Sequence, residues 1–229
     1  MKVVALIPAA GLGKRMNNKI SKPFILISGK PLIVYTLETF EKCPLIYKIY
    51  LVVNPEEKEL FNQNIISRYN FQKIQKLIDG GDTRQSSVYN GLNSLEKDTD
   101  IVVIHDGARP LIKEKFICQS IEVAQEFGSA VLAIPSKDTL KMIQDDMLVK
   151  KTLDREKIWR AQTPQTFKYN LVFSAYQKAF QEGIYATDDA AIVERYGHKV
   201  KLIMGSEENI KITTPFDILL AQDLLKGKF

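Results

Sequence analysis

Runs of β-branched and other apolar residues alternate along the chain with stretches whose apolar positions recur at helical spacing. Residues 3–7, 49–53, 101–105 and 130–134 are nearly continuous apolar runs, the pattern of strands covered on both faces of a parallel sheet. Between them, residues 31–42, 55–69, 85–95 and 113–127 carry helix-period apolar spacing. Pro31 and Pro55 fit first-turn positions, where the missing backbone N–H is not needed. This alternation predicts an α/β fold: a doubly wound, mostly parallel, Rossmann-like sheet with right-handed crossovers.

The alternation breaks after Pro135. Residues 136–160 have β character, with Asp145 and Asp146 as a hairpin turn between 140–143 and 148–153. An isolated hairpin is marginal in water, so this excursion is expected to pack against something, such as another subunit. Helical patterns resume over 169–182 and 188–196. A strand at 200–204, an extended piece at 209–212 and a helix from Pro215 complete the chain. The absence of repeats and linker-like stretches makes residues 1–229 a single domain, with 136–160 as a β-arm within it.

The 229 residues are enough for one sizeable core. A net charge of +5 suits polyanionic ligands but is also met by an ordinary Lys-rich surface. The chain has no run of five or more consecutive basic residues, which argues against a nucleic-acid tail. Cys43 and Cys118 sit in apolar surroundings typical of buried free thiols; two cysteines cannot close a zinc site without histidines, of which the chain has only His105 and His198. The apolar run 3–7 is too short for a secretory signal and is stopped by Pro8. No stretch reaches the roughly 18 apolar residues of a membrane helix, so the expected location is the cytoplasm.

The strongest chemical signal is PAAGLGKRM, residues 8–16, directly after the first strand. Gly11 and Gly13 let the backbone approach a ligand and adopt positive φ. Successive N–H groups there can cradle phosphates, with Lys14, Arg15 and, beyond them, Lys22 adding positive charge. The dinucleotide fingerprint fails because Met16 occupies its third small position, and the Walker motif fails because Pro31 follows Gly29 and Lys30.

A second glycine turn, DGGDTRQSS at 79–87, ends a strand and offers Asp82 or Thr83 as helix cap. Arg84 and Ser87 stand beside a helix N-terminus able to receive a nucleotide, although a well-made turn has the same composition. HDGARP, 105–110, follows the strand at 101–104. Asp106 at a strand's carboxyl end is placed to hold Mg²⁺ or hydroxyl groups, Arg109 can fork onto a phosphate, and His105 is assigned a structural role. Asp188 and Asp189 read as favourable helix N-terminal charges, and Lys211 as an ordinary lysine in an extended piece.

Taken in order, PAAGLGKRM, KPF (22–24), GGDTRQSSV, HDGARP, KDTLK (137–141), DR and W.AQTPQTF (154–167), TDDA (187–190) and ENIKITTP (208–215) resemble the 2-C-methyl-D-erythritol 4-phosphate cytidylyltransferase family of the non-mevalonate isoprenoid pathway. The match spans residues 8–215 in the family's order and spacing. The resemblance implies transfer of CMP from CTP to methylerythritol phosphate with release of pyrophosphate, Mg²⁺ as cofactor, and a homodimer joined through the arm at 136–160. By the same resemblance, Arg15 and Lys22 stabilise the transition state, while Arg155 and Lys211 position the acceptor phosphate. Ala9, Ala10, Gly11, Gly13, Gly81, Asp82 and Ser87 correspond to CTP-binding positions. Asp106, Arg109, Thr139, Thr163 and Thr187 correspond to acceptor-binding ones.

One departure is Gly107, where many members carry Ala; the expected effect is small. Ribitol 5-phosphate cytidylyltransferases share the CTP half, and KDTLK with TDDA leans toward methylerythritol phosphate. A non-catalytic nucleotide-binding protein on the same fold is the alternative from a different class. An acceptor that is already a phosphate dianion needs no general base, and the chain has no Ser–His–Asp or Cys–His set.

Overall fold

The structure is a computed structural model and describes residues 1–11 and 21–227. In chain order, β1 (Val3–Pro8) is followed by a tight hairpin of β2 (Leu26–Ile27) and β3 (Lys30–Pro31). Next come α1 (Leu32–Lys42), β4 (Lys48–Val53), α2 (Lys58–Phe61), β5 (Ile74–Asp79), α3 (Arg84–Asn93), β6 (Ile101–Ile104), α4 (Glu114–Phe127) and β7 (Ser129–Pro135). A second hairpin, β8 (Lys141–Ile143) and β9 (Val149–Thr152), precedes β10 (Trp159–Lys168), α5 (Tyr169–Gln181), α6 (Asp189–Arg195), β11 (Lys201–Met204) and α7 (Pro215–Lys226). No helix among the described residues is long and apolar enough to cross a membrane.

The central sheet has the order β11-β7-β10-β6-β1-β4-β5. Within it, β1 pairs in parallel with both β4 and β6, β4 with β5, and β7 with β11. Only β10 runs against its neighbours β6 and β7. The mostly parallel, doubly wound sheet expected from the apolar runs is therefore present, with helices on both faces. Period-2 alternation sorts the core. Val3, Ala5 and Ile7 of β1 join Ile33, Leu37 and Phe40 of α1 and Ile117 and Ile121 of α4 on one face. Val4 and Leu6 join Val88 and Leu92 of α3, Val172 and Tyr176 of α5 and Val193 of α6 on the other. Each such fully buried aliphatic side chain contributes roughly 1.5–3 kcal/mol relative to exposure.

Three elements differ from the sequence expectation. β10 lies inside the sheet although it carries Pro164, which cannot donate to a ladder. Pairing with β7 shifts register between Ala161 and Gln165, and this bulge takes Pro164 out of the ladder. Trp159 and Arg160 already pair with Pro135 and Ile134, so the excursion ends before residue 159 rather than at 160. The helix expected at 55–69 is broken up, with α2 running on as a wider π-type turn over Asn62–Ser67. The hairpin β8–β9 forms a separate two-stranded sheet whose residues are all exposed.

The connections place the site. From β1 the chain moves outward through β4 to β5, then crosses back to β6 on the other side of β1. That reversal opens a crevice at the strands' carboxyl ends, where open α/β sheets bind ligands.

Candidate active site

A cleft of about 840 Å³ occupies the crevice. Its walls follow successive strand ends: Pro8 to Gly11 after β1, Asn54 and Pro55 after β4, Gly80 to Arg84 after β5, and Asp106 to Ala108 after β6. Lys22, Ser87 and Lys211 complete it.

The turn after β1 is seated on the sheet by the Ala9 N–H, which donates to the Val52 carbonyl at 2.7 Å. Gly11 has nothing within 4 Å of where a Cβ would stand, and its φ is not in the left-handed region, so the positive φ expected there is not adopted. Gly13, Lys14 and Arg15 lie outside the described residues.

The turn after β5 is braced from below. The Gly81 N–H donates to Ser87 Oγ at 3.0 Å, and Thr83 with Ser86 forms a capping box that starts α3. A Cβ on Gly81 would meet Ser86 Cβ at 2.7 Å, so glycine is required for the turn to lie against the helix. Asp82 is exposed at the rim.

The charged centre is Asp106. Its side chain is nearly buried, and its two oxygens are taken by two cations: Arg84 Nε at 2.9 Å on Oδ1 and Lys211 Nζ at 2.6 Å on Oδ2. Burial alone would raise this carboxyl, but Arg84 and Lys211 hold it below the usual carboxylate range. The rest of the Arg84 fork is bidentate on Asp189, at 2.9 and 2.8 Å. Burial opposes the Arg84 charge, yet Asp189 and Asp106 raise its pKa well above the ordinary value.

Behind the cleft, the Asp106 N–H donates to Thr163 Oγ1 at 3.1 Å. The Arg109 carbonyl can only accept, so His105 Nε2 carries the proton that reaches it (3.2 Å) and Nδ1 accepts from the Thr163 hydroxyl (3.1 Å). Burial lowers the His105 pKa to about 3, which fixes a neutral ring and supports the structural role. Arg109 does not line the cleft: its Nη1 donates to the Asn209 carbonyl at 2.6 Å, and its buried Nε has no partner. Asn209 in turn donates to the Thr163 carbonyl at 2.8 Å. The bulge of β10, residues 105–109 and the segment carrying Lys211 are thus tied into one unit.

The expected site residues therefore divide. Ala9, Ala10, Gly11, Lys22, Gly81, Asp82, Ser87, Asp106 and Lys211 line the cleft, while Thr163 and Arg109 support it from behind. Thr187 borders a neighbouring cavity of about 220 Å³, with Arg84 common to both spaces. Thr139 and Arg155 are exposed near the β8–β9 hairpin and line neither. Sequence reasoning missed Asn54 and Pro55, whose signal was their place directly after a buried strand, and gave Asp189 only a helix-charge role. Among the described residues no group of three or more His, Cys, Asp or Glu side chains is placed to hold a metal.

Comparison with known proteins gives concordant results. The family model for 2-C-methyl-D-erythritol 4-phosphate cytidylyltransferase (IspD) matches residues 3–227. Proteins of that name from Desulforamulus reducens and Clostridioides difficile are 48% and 46% identical to this chain. The first alignment covers 99% of this chain and 97% of the relative, the second 96% and 92%. Among solved structures, the 4-diphosphocytidyl-2C-methyl-D-erythritol synthase of Anaerococcus prevotii superimposes with a TM-score of 0.89 at 32% identity, covering 98% of this chain and 96% of that one. The 2-C-methyl-D-erythritol 4-phosphate cytidylyltransferase of Thermus thermophilus gives 0.81 at 30% identity, covering 99% and 100%.

Proposed function

The chain belongs to the 2-C-methyl-D-erythritol 4-phosphate cytidylyltransferase family, and from that premise we propose that its cleft transfers CMP from CTP to 2-C-methyl-D-erythritol 4-phosphate, releasing pyrophosphate. The observation that carries the reading is the joint lining of one switch-point cleft by two Gly-containing turns, Lys22, and Lys211 seated on Asp106.

An acceptor phosphate oxygen attacks the α-phosphorus of CTP, the bond from that phosphorus to the bridging oxygen breaks, and pyrophosphate leaves with the electron pair. The acceptor's second pKa is about 6, so at neutral pH it is a ready nucleophile. The obstacle is repulsion between anions, and the protein's part is in-line positioning and charge neutralisation. In this reading Ala9, Ala10, Gly11, Gly81, Asp82 and Ser87 hold CTP, joined by Gly13. Lys22 and Arg15 meet the charge that builds on the α-phosphate, and Lys211 meets the acceptor phosphate. Arg109, Thr163 and Thr187 shape the acceptor side.

A divalent cation is part of the reading. Asp106, expected as a metal ligand, has its two oxygens on Arg84 and Lys211, and this reading assigns it to Lys211. Mg²⁺ would enter with the triphosphate, whose phosphate oxygens, together with water, would be its main ligands. Bound there, it would draw charge from the phosphoryl oxygens.

In this reading Thr139 and Arg155, which do not line the cleft of their own chain, reach the acceptor from a second copy. The exposed apolar side chains of Met142, Ile143, Met147, Leu148 and Val149 on the hairpin support a homodimer joined through it. The direct test is pyrophosphate release from CTP with methylerythritol phosphate and ribitol 5-phosphate side by side. Release with the first acceptor and little with the second is expected; the reverse reassigns the acceptor, and CTP binding without release under either makes the protein a binder only.

A further inference from the structure

Asp189 has no assigned part in the reaction, yet it is the most deeply buried charge near the cleft, with no exposed surface. It is not needed as a helix cap, because Asp188 fills that role by accepting from the Ala191 N–H at 2.9 Å. Its carboxylate instead takes the paired N–H groups of Arg84 and the Tyr176 hydroxyl, the latter at 2.5 Å on Oδ1. The N-terminus of α6 that carries it is pinned to β10 by Gln165, which accepts from the Ala190 N–H and donates to Asp188. A continuous line of contacts therefore runs Tyr176, Asp189, Arg84, Asp106, Lys211, every link 2.9 Å or shorter.

We infer that Asp189 is a positioning residue for the acceptor cation, holding Arg84 so that Asp106 keeps one oxygen for Lys211. Arg84 has five N–H donors in a fixed plane. With Asp189 in place, its paired end is satisfied away from the cleft and only Nε reaches Asp106. Without that partner, the same paired end is left to compete for Asp106, the other carboxylate against it, and a bidentate Arg84–Asp106 pair would take the oxygen that now seats Lys211. Two carboxylates balance two cations in this line, so a field effect and a positioning effect of losing Asp189 have opposite signs. A site left with surplus positive charge would bind the acceptor phosphate more tightly, whereas a displaced Lys211 would bind it less tightly.

This inference rests on the reading that Lys211 serves the acceptor phosphate, so wild-type turnover of CTP with methylerythritol phosphate is measured first. Its absence sinks that reading and this one with it. The decisive measurement is the acceptor Kd by calorimetry, with a non-hydrolysable CTP analogue bound, in wild type, Asp189→Asn, Lys211→Ala and the double variant. Contacting side chains show coupling that independent sites do not, so Asp189→Asn should weaken acceptor binding about tenfold in the wild-type background and less than about twofold beside Lys211→Ala. Affinity for the CTP analogue should stay within about twofold throughout. Tyr176→Phe keeps the ring packing and removes one hydrogen bond to Asp189. It should show the same dependence on Lys211 at about threefold, and it decides the matter if Asp189→Asn does not fold. Tighter acceptor binding, equal losses in both backgrounds, or a parallel loss of CTP affinity each overturns the assignment.

Discussion

Lys211 Nζ stands 2.6 Å from Oδ2 of Asp106, so the cation proposed for the acceptor phosphate is held by a carboxylate that is itself nearly buried. A flexible lysine is thereby restricted to one side of the cleft before any substrate arrives, which lowers the ordering cost of binding. Replacing Asp106 by Asn should leave Lys211 loosely placed. The expected outcome is a fall in kcat/KM for the acceptor of roughly 10²–10³-fold with CTP affinity little changed. Loss of CTP affinity by the same factor would assign Asp106 to the nucleotide instead. The pH dependence follows from the direction of its shift. The folded carboxyl titrates below its unfolded value, so its stabilisation is complete above the ordinary carboxylate range and declines as pH falls below about 4. In urea titrations, the stability gap between wild type and Asp106→Asn should narrow below that pH.

His105 predicts a separation between activity and stability. Its folded pKa of about 3 leaves it neutral across the working range, so the rise of activity near pH 6 should belong to the acceptor phosphate and survive His105→Gln. Stability should behave otherwise. The unfolded chain binds the proton first as pH drops through about 6.5, so the fold loses stability from there down to about pH 3, by several kcal/mol at the acid end. His105→Gln should flatten that slope in denaturant titrations. Disappearance of the pH 6 limb with a collapse of kcat would instead make His105 a catalytic base.

How much of this was legible in the sequence depended on whether local chemistry or tertiary pairing decided each element. Buried parallel strands announce themselves as apolar runs, and β1, β4, β6 and β7 were found that way. β10 was not, because its buried residues include Gln162, Thr163, Gln165 and Thr166, and Pro164 marks an edge or a break. Its place in the sheet is set by partners distant in sequence: Asn209 on the Thr163 carbonyl, Asp188 on Gln165, Ser120 on Thr166. The site was legible where the strand-end rule applies, at Ala9, Gly81 and Asp106. Asp189 was legible only as one of two adjacent acidic residues at a helix start. Nothing local distinguishes the one that caps its helix from the one that turns inward to Arg84.

Two of the cleft glycines, Gly81 and Gly107, should respond differently to alanine. At Gly81 a Cβ runs into Ser86, whose side chain and backbone close the capping box of α3. Gly81→Ala should cost about 1 kcal/mol through the cap alone and should weaken CTP binding further by moving the turn. At Gly107 the nearest atom to a Cβ is the Ile33 Cδ1, at 2.6 Å, the far end of a flexible side chain that can turn aside. Gly107→Ala should therefore cost less than about 1 kcal/mol and leave turnover near wild type. Thermal unfolding and CTP titration of the two variants decide the point, and a Gly107→Ala change as damaging as Gly81→Ala would show that Ile33 is locked.

The arm yields the last prediction. Lys22 lines the cleft, whereas Arg155 is exposed near the hairpin, its Nη1 donating to the Lys137 carbonyl at 3.4 Å. If the hairpin joins two copies about a two-fold axis, each site takes Lys22 from one chain and Arg155 from the other. Lys22→Ala and Arg155→Ala should each be inactive as pure preparations, because both symmetric sites carry the lesion. After the two are dissociated, mixed in equal amounts and reassociated, about half the dimers are mixed. Each mixed dimer then holds one site with both lesions and one with neither, so roughly a quarter of wild-type activity should return. A site built within a single chain gives no return, since no chain in the mixture carries both residues. Mixed dimers confirmed by mass spectrometry and still inactive would place Arg155 in the site of its own chain and leave the hairpin a purely structural contact.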